Sequence, residues 1–318
     1  MIELFHKKTH IDFVKGMPFM VAVSVTMIVL SLVVIAVKGF NFSIDFVGGT
    51  VIDLQIPTAT TGVDEAKLRE VLVGLGQRDA TIVRLGKPEE QEFRIALQGS
   101  QETERDLSLN VVSGLNEKLG TQVTVKSVDS VGPRVGGELR RAGVLAIVLS
   151  WIGILIYVWF RFEWQYGPGA VLALIHDVCF TAGVFALFGW EFDMNVLAAL
   201  LVIIGYSMND TIVIYDRIRE TVGMRGTAEL ESVVNDAINA TLSRTILTSG
   251  VTQLVVVAIL LEGGPVLRGF ALALFIGILV GTYSSIYVAS ALLIWLARRY
   301  GHPVPAVPKG KTKARATA

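Results

Sequence analysis

Asp210 stands in the run 195–215, which is otherwise apolar enough to cross a bilayer, within Gly205-Tyr206-Ser207-Met208-Asn209-Asp210-Thr211. Placing an Asp at the centre of a membrane helix costs about 2.5–3.5 kcal/mol. Such a carboxyl is protonated, paired or turned to a cavity, and the chemistry it suits is carriage of an ion or a proton. Tyr206 and Ser207 precede it by one helical turn and share its face, with the Tyr hydroxyl in reach of the carboxyl. Asn209 points elsewhere, toward a neighbouring helix. Arg244 opens a later apolar run in Thr241-Leu242-Ser243-Arg244-Thr245. The two runs are joined on one side of the membrane, so an Asp210–Arg244 pair is geometrically open. Such a pair holds the carboxyl ionised, and separating it raises the affinity for a proton. Asp177, beside His176, lies about eight residues into a third run. It suits a second relay group, a partner for His176 or a partner for another chain. Plainer roles stand beside these: a structural hydrogen bond for Asp210, and contact with lipid phosphate for Arg244.

The elements that must position these residues are membrane helices. The chain of 318 residues is 52% hydrophobic and 18% charged, with a mean hydropathy of +0.58, too apolar for a soluble protein of this size. Six runs reach the length of roughly 20 residues that a spanning helix needs: 17–37, 142–160, 170–188, 195–215, 245–261 and 269–296. The first is expected to be an uncleaved anchor, because its apolar run is too long for a signal peptide and no small-x-small site follows. Lys7, Lys8 and Lys15 precede the first span; Arg298, Arg299 and a basic tail follow the last; Arg217, Arg219 and Arg225 lie between the fourth and fifth. The hairpins 189–194 and 262–267 carry acids and no Lys or Arg. Both ends are therefore expected in the cytoplasm, with 1–16 as N-terminus, 216–244 as a cytoplasmic loop and 298–318 as a disordered basic tail. Arg140 and Arg141 dissent, at the edge of a segment long enough for its charges to count little.

Segment 38–141 is expected to be a small extracytoplasmic domain. Its stretch 39–140 holds 15 acidic and 11 basic residues, against 13 and 17 in the remainder. Residues 50–56 alternate as a half-buried strand. A helix follows over 64–76, strands over 81–85 and 92–97 around Gly86-Lys87-Pro88, a helix over 101–119 and a strand over 122–128. The order β-α-β-β-α-β is that of the ferredoxin-like split unit. The fold class is thus a polytopic helical membrane protein with six spans and one α+β domain.

Other features are packing signals. Gly277, Gly281, Ser285 and Ala289 recur every four residues in the last span, a stripe that lets another helix approach. Thr241, Ser243, Thr245, Thr248, Ser249 and Thr252 make the fifth span hydroxyl-rich. Trp151, Trp159, Trp164, Trp190 and Trp295 suit interfacial anchors near span ends. The single Cys179 and four scattered His offer no disulfide framework and no metal set, and no nucleophile–base constellation or phosphate loop appears.

Four stretches carry a resemblance to a known family. They are Phe42-Ser43-Ile44-Asp45-Phe46-Val47-Gly48-Gly49-Thr50, Val131-Gly132-Pro133, the run from Gly205 to Thr211 followed by Asp216-Arg217-Ile218-Arg219-Glu220, and Asn239-Ala240-Thr241-Leu242-Ser243-Arg244-Thr245. Together, over about residues 5 to 300, the chain resembles SecF, the smaller membrane subunit of the bacterial SecDF export factor, which is related to the RND transporters. The resemblance implies an accessory translocase subunit of the bacterial inner membrane, driven by the proton motive force and acting on unfolded preproteins. It implies SecD as partner, with the SecYEG channel and YajC nearby, no nucleic acid and no cofactor. It also places Asp210 and Arg244 on the family's proton pathway. Competing expectations are an RND-like half-transporter of a lipid or drug, and a scaffold that only stabilises its complex.

Overall fold

A computed structural model describes residues 10–57, 63–78, 80–85, 88–98, 104–225 and 230–301. Lys7, Lys8, Gly86, Lys87, the start of the second domain helix at 101–103 and the tail 302–318 lie outside the described residues.

Six long apolar helices form the membrane region: α1 (Phe13–Lys38), then, after the domain, α5 (Pro133–Arg161), α6 (Tyr166–Phe188), α7 (Met194–Arg225), α8 (Leu230–Glu262) and α9 (Gly264–Ser284). A π-turn at Ser285–Ala289 joins α9 to α10 (Ser290–Tyr300), so the sixth span is one interrupted helix. The chain is a polytopic helical membrane protein. Each helix outruns its apolar stretch. Polar turns at the ends still satisfy their backbone bonds within the helix, so hydropathy marks the lipid-crossing part and not the helix end. The segment joining spans four and five is accordingly helical on both sides, with 226–229 between. Asp216 and Arg217 do not end α7, which runs on to Arg225; Asp216 pairs with Arg161 at 3.0 Å and Arg217 with Glu220 at 2.6 Å. Trp151 falls in the middle of α5 and packs half-buried against the membrane core, away from the span end.

Between α1 and α5 lie β1 (Asn41–Phe42), the short helix α2 (Ile44–Val47), β2 (Gly49–Gln55), α3 (Glu65–Gly74), β3 (Thr81–Leu85), β4 (Glu92–Gln98), α4 (Glu104–Leu119) and β5 (Thr124–Val131). The sheet order is β3-β4-β2-β5, every pair antiparallel. That is the split β-α-β order expected from the strand and helix pattern. Alternate residues Ile52, Leu54 and Ile56, with Phe93, Ile95 and Leu97, meet Leu68, Leu72, Leu107, Val111 and Leu115 in a core of its own. On the sheet's other face Arg94 grips Asp53 through two 2.8 Å bonds, and Ser127 adds a third at 3.2 Å.

The domain and the membrane helices meet in a tight joint. Gly48 and Gly49 adopt φ of +81° and +153°, and a Cβ on them would lie 2.7 Å from Pro133 Cα and 2.3 Å from the Leu97 carbonyl. Only Gly fits both the backbone and the space. A Cβ on Gly136 would likewise strike the Phe46 backbone at 2.9 Å. Thus α2 is wedged against the start of α5. Beside it β1 pairs in parallel with β6 (Glu191–Phe192), the strand between α6 and α7. Phe40, Phe42, Phe46 and Phe192 pack beneath the joint with ring centroids 5.2 to 6.1 Å apart.

Candidate functional site

Two buried carboxyls lie within the bundle, and neighbouring helices hold each of them. Asp177 on α6 is wholly buried. Its Oδ2 accepts hydrogen bonds from Ser207 Oγ of α7 at 2.6 Å and Ser284 Oγ of α9 at 2.9 Å, and its Oδ1 lies 3.0 Å from His176 Nδ1. Asp177 therefore joins three helices as well as pairing with its sequence neighbour. The close approach of α9 to α7 makes this possible: a Cβ on Gly277 would lie 2.2 Å from Ile203 Cδ1, and one on Gly281 3.0 Å from Ser207 Cβ. The small-residue stripe is the surface α9 turns to α7.

Asp210 is 3% exposed and lies one turn along α7 from Ser207. Its Oδ2 accepts from Ser249 Oγ of α8 at 3.3 Å. Ser249 Oγ also lies 2.9 Å from Thr282 Oγ1 of α9, and Thr282 Oγ1 donates to the Ile278 carbonyl at 3.0 Å when it does not serve Ser249. A hydroxyl has one proton to donate and two lone pairs to accept with. With Asp210 ionised, the chain runs Thr282 to Ser249 to Asp210. With Asp210 protonated it can run the other way, Asp210 to Ser249 to Thr282 to Ile278. A proton on one carboxyl thus reverses hydrogen bonds that link three helices.

The remaining residues singled out in the sequence fall differently. Tyr206 does not reach Asp210; its hydroxyl donates to Thr252 Oγ1 of α8 at 3.2 Å, because a Tyr ring one turn away projects past the carboxyl to the neighbouring helix. Ser207 serves Asp177 rather than Asp210. Asn209 is exposed and bonds to no neighbouring helix among the described residues. Arg244 is exposed on α8, and among the described residues no ion pair within 4.0 Å joins it to Asp210. Thr282 and Ser284 are the partners that sequence reasoning missed. Their only signal was their place on the helix that carries the Gly277–Gly281 stripe.

Beyond Asp210 on α7, Tyr215 donates to the Ala289 carbonyl at 3.0 Å, in the π-turn where the regular bond ladder is broken. A Cβ on Gly169 would come within 2.4 Å of the Tyr215 hydroxyl. On the domain side, Met194 N–H of α7 donates to Asp45 Oδ2 at 3.1 Å, and Asp193 Oδ1 accepts from Val196 N–H at 2.8 Å. Burial pushes the Glu191 and Asp193 carboxyls up from their usual range; for Glu191 the nearby Asp193 and Asp45 add to the rise and Arg94 opposes it.

Comparison with known proteins agrees on one family. Residues 111–299 match the family model described as protein export membrane protein SecD/SecF, C-terminal, and residues 33–56 match the SecD/SecF GG motif. The chain is 41% identical over 308 residues to protein translocase subunit SecF of Cereibacter sphaeroides, covering 95% of this chain and 94% of that one. It is 43% identical over 276 residues to the SecF of Pseudomonas aeruginosa, covering 86% and 88%. A solved structure of SecDF, a translocon-associated membrane protein from Thermus thermophilus, superposes with a TM-score of 0.80 at 40% identity. That match covers 93% of this chain and 40% of the longer SecDF chain. A second SecDF structure, in a super-membrane-facing form, gives a TM-score of 0.70 at 41% identity over the same shares.

Proposed function

The chain belongs to the SecF family of protein-export membrane proteins, and on that premise we propose that it is a proton-driven accessory subunit of protein export. It works with SecD beside the SecYEG channel, and with YajC, on unfolded preproteins leaving the bacterial inner membrane. The observation that carries this reading is the setting of Asp210. Among the described residues the carboxyl, buried in a spanning helix, is touched by a single hydroxyl donor, and Arg244, exposed on α8, makes no ion pair with it. A carboxyl so placed is held weakly in either protonation state, which suits a group that must take up and release a proton in each cycle.

Asp210 is the proton carrier and Arg244 the cation whose distance sets its charge. Ser249 and Thr282 convert the protonation state into a change of bonding between α7, α8 and α9. Asp177 is assigned here as the fixed hub that keeps α6, α7 and α9 together around the carrier, with Ser207 as its contact on α7. Asn209 and Arg244 belong to the face that SecD covers. A fused relative supports this partner: in Brucella abortus the match covers 92% of this chain but 38% of a single SecDF protein. The basic ends lie in the cytoplasm and the α+β domain outside.

The test is export of a slow-release preprotein into vesicles that carry a proton gradient, comparing wild type with Asp210→Asn at matched levels and matched recovery with SecD. Loss of the gradient-dependent late step is expected. An intact complex that exports normally with Asp210→Asn would leave a scaffold as the function.

A further inference from the structure

We infer that Asp45 is a positioning residue that ties the extracytoplasmic domain to the helix bearing Asp210, so that movement of the domain is passed along α7 to the proton carrier. This rests on the reading of Asp210 as that carrier.

Asp45 belongs to the domain's side of the joint. It lies on α2, whose first turn is capped by Ser43 Oγ accepting from Asp45 N–H at 3.2 Å and whose end is closed by Gly48 N–H donating to the Ile44 carbonyl at 2.8 Å. Gly48 pressed on Pro133 and Gly136 pressed on Phe46 leave α2 no room to move apart from the start of α5 and β2. The carboxyl of Asp45 crosses from this block to the first residue of α7, where Oδ2 takes the Met194 N–H at 3.1 Å.

That bond is not needed to begin the helix. The first turn of a helix leaves amides without intrahelical partners, and one capping side chain is the usual remedy. Asp193 already supplies it, through Oδ1 to Val196 N–H at 2.8 Å, and its carbonyl accepts from Leu197 N–H at 3.1 Å. Asp45 is therefore a second acid at the same helix end, sent from a separate element. Glu191 stands near both, and Arg94 of β4 is the cation close enough to Glu191 to offset part of the repulsion. A joint built only for stability gains little from three carboxylates in a half-buried corner over a Phe cluster. A joint built to couple needs a directed bond between the two bodies. From Met194, α7 runs unbroken to Arg225 and carries Asp210 about four and a half turns along, roughly 24 Å at 1.5 Å per residue. A continuous helix of that length moves as one piece, so a pull on its first amide is a shift at Asp210.

The test uses the chain with SecD in proton-loaded vesicles and three variants at matched levels: Asp45→Ala, Asp45→Asn and Asp210→Asn. Amide hydrogen exchange at 194–197 is read beside export of the slow-release preprotein. Asp45→Ala is expected to speed exchange in the first turn of α7 by about tenfold, as loss of one charge-assisted bond implies. It should also abolish most of the gradient-dependent step. Asp45→Asn keeps an acceptor oxygen and should restore both, which a role for negative charge alone would not allow. If Asp210→Asn stops the gradient-dependent step and Asp45→Ala leaves it intact despite faster exchange, the tie carries no coupling and the inference falls alone. If Asp210→Asn is silent, the carrier reading falls and takes the coupling with it.

Discussion

A buried carboxylate that collects hydroxyls is an anchor, and Asp177 has three polar neighbours drawn from α6, α7 and α9. Removing it leaves the Ser207 hydroxyl buried without its acceptor, at about 1–3 kcal/mol, and costs Ser284 one of two bonds, at about 1 kcal/mol, since the Gly281 carbonyl at 3.2 Å remains to it. Asp177→Ala should thus lower the stability of the helical bundle by about 3 kcal/mol or more, while Asp177→Asn, which can still accept, should lose less than half of that. Thermal unfolding in nanodiscs would show the difference, and equal losses would remove the hub. Asp210 was legible in the sequence because a single acid in an apolar run stands out. Its partners were not: Ser249 is one of six hydroxyls in its stretch, and Thr282 lies on a helix whose register against α7 depends on where Gly277 and Gly281 let the backbones touch. Tyr206 shows the limit of one-helix reasoning, since spacing put it beside Asp210 and the neighbouring helix drew its hydroxyl away.

At the scale of elements, the seam between α7 and α9 admits no added bulk. Gly277→Val would drive methyl groups into Ile203, and overpacking of this kind costs about 1–3 kcal/mol or more. The same substitution at Gly153, where nothing lies within 4 Å, should be nearly silent in a stability assay of the membrane-inserted chain. The joint at the start of α7 carries a pH dependence of definite sign. Glu191 and Asp193 have raised folded-state values, so the folded joint binds protons more readily than the opened one. Their contribution is fully present below the ordinary carboxylate range and is lost as pH rises through the raised values. The Asp53–Arg94 pair runs oppositely. Arg94 holds Asp53 below its usual range, so its contribution is present above that range and is lost as pH falls through the lowered value. Acidifying the medium from neutral toward about pH 5 should raise the protection of amides at 191–197, relative to their intrinsic exchange rates, and leave that of β2 and β4 unchanged; the reverse order would contradict both assignments. Strands and helices were readable from period and turn residues. The joint was not, because Gly48-Gly49 and Gly132-Pro133 stand far apart in sequence and only the folded chain shows them pressed together.

Over the whole molecule, the bundle is unevenly covered. Most of α6 is buried, while α7 leaves one stripe bare, Ala198, Val202, Gly205 and Asn209, and α8 leaves Arg244 on its surface. An amide and a guanidinium on the flank of membrane helices call for company other than lipid tails. In the proposed complex, a maleimide probe on Asn209→Cys should react several-fold more slowly when SecD is co-expressed, and equal reactivity would place the partner elsewhere. Six spans and the α+β domain were legible because bilayer thickness and strand pleat impose lengths and periods on any sequence. Which flank stays open was not, since it is fixed by contacts among α7, α8 and α9 that no single span reveals.

The side opposite the domain holds one more contact between distant parts. Asn235 Oδ1 of α8 accepts from Phe13 N–H at 2.8 Å and Asn239 Oδ1 from Ile11 N–H at 3.0 Å, so amides at the start of α1 are satisfied from 222 and 228 residues further along the chain. A ribosome delivers α1 first and α8 fifth among the spans. Until α8 arrives, the cap left to the beginning of α1 among the described residues is the Asp12 carboxyl on Lys15 N–H. The last structural act for the first helix is therefore performed by one of the last to be made, and a nascent chain halted before Asn235 would present an α1 whose opening turn is still frayed.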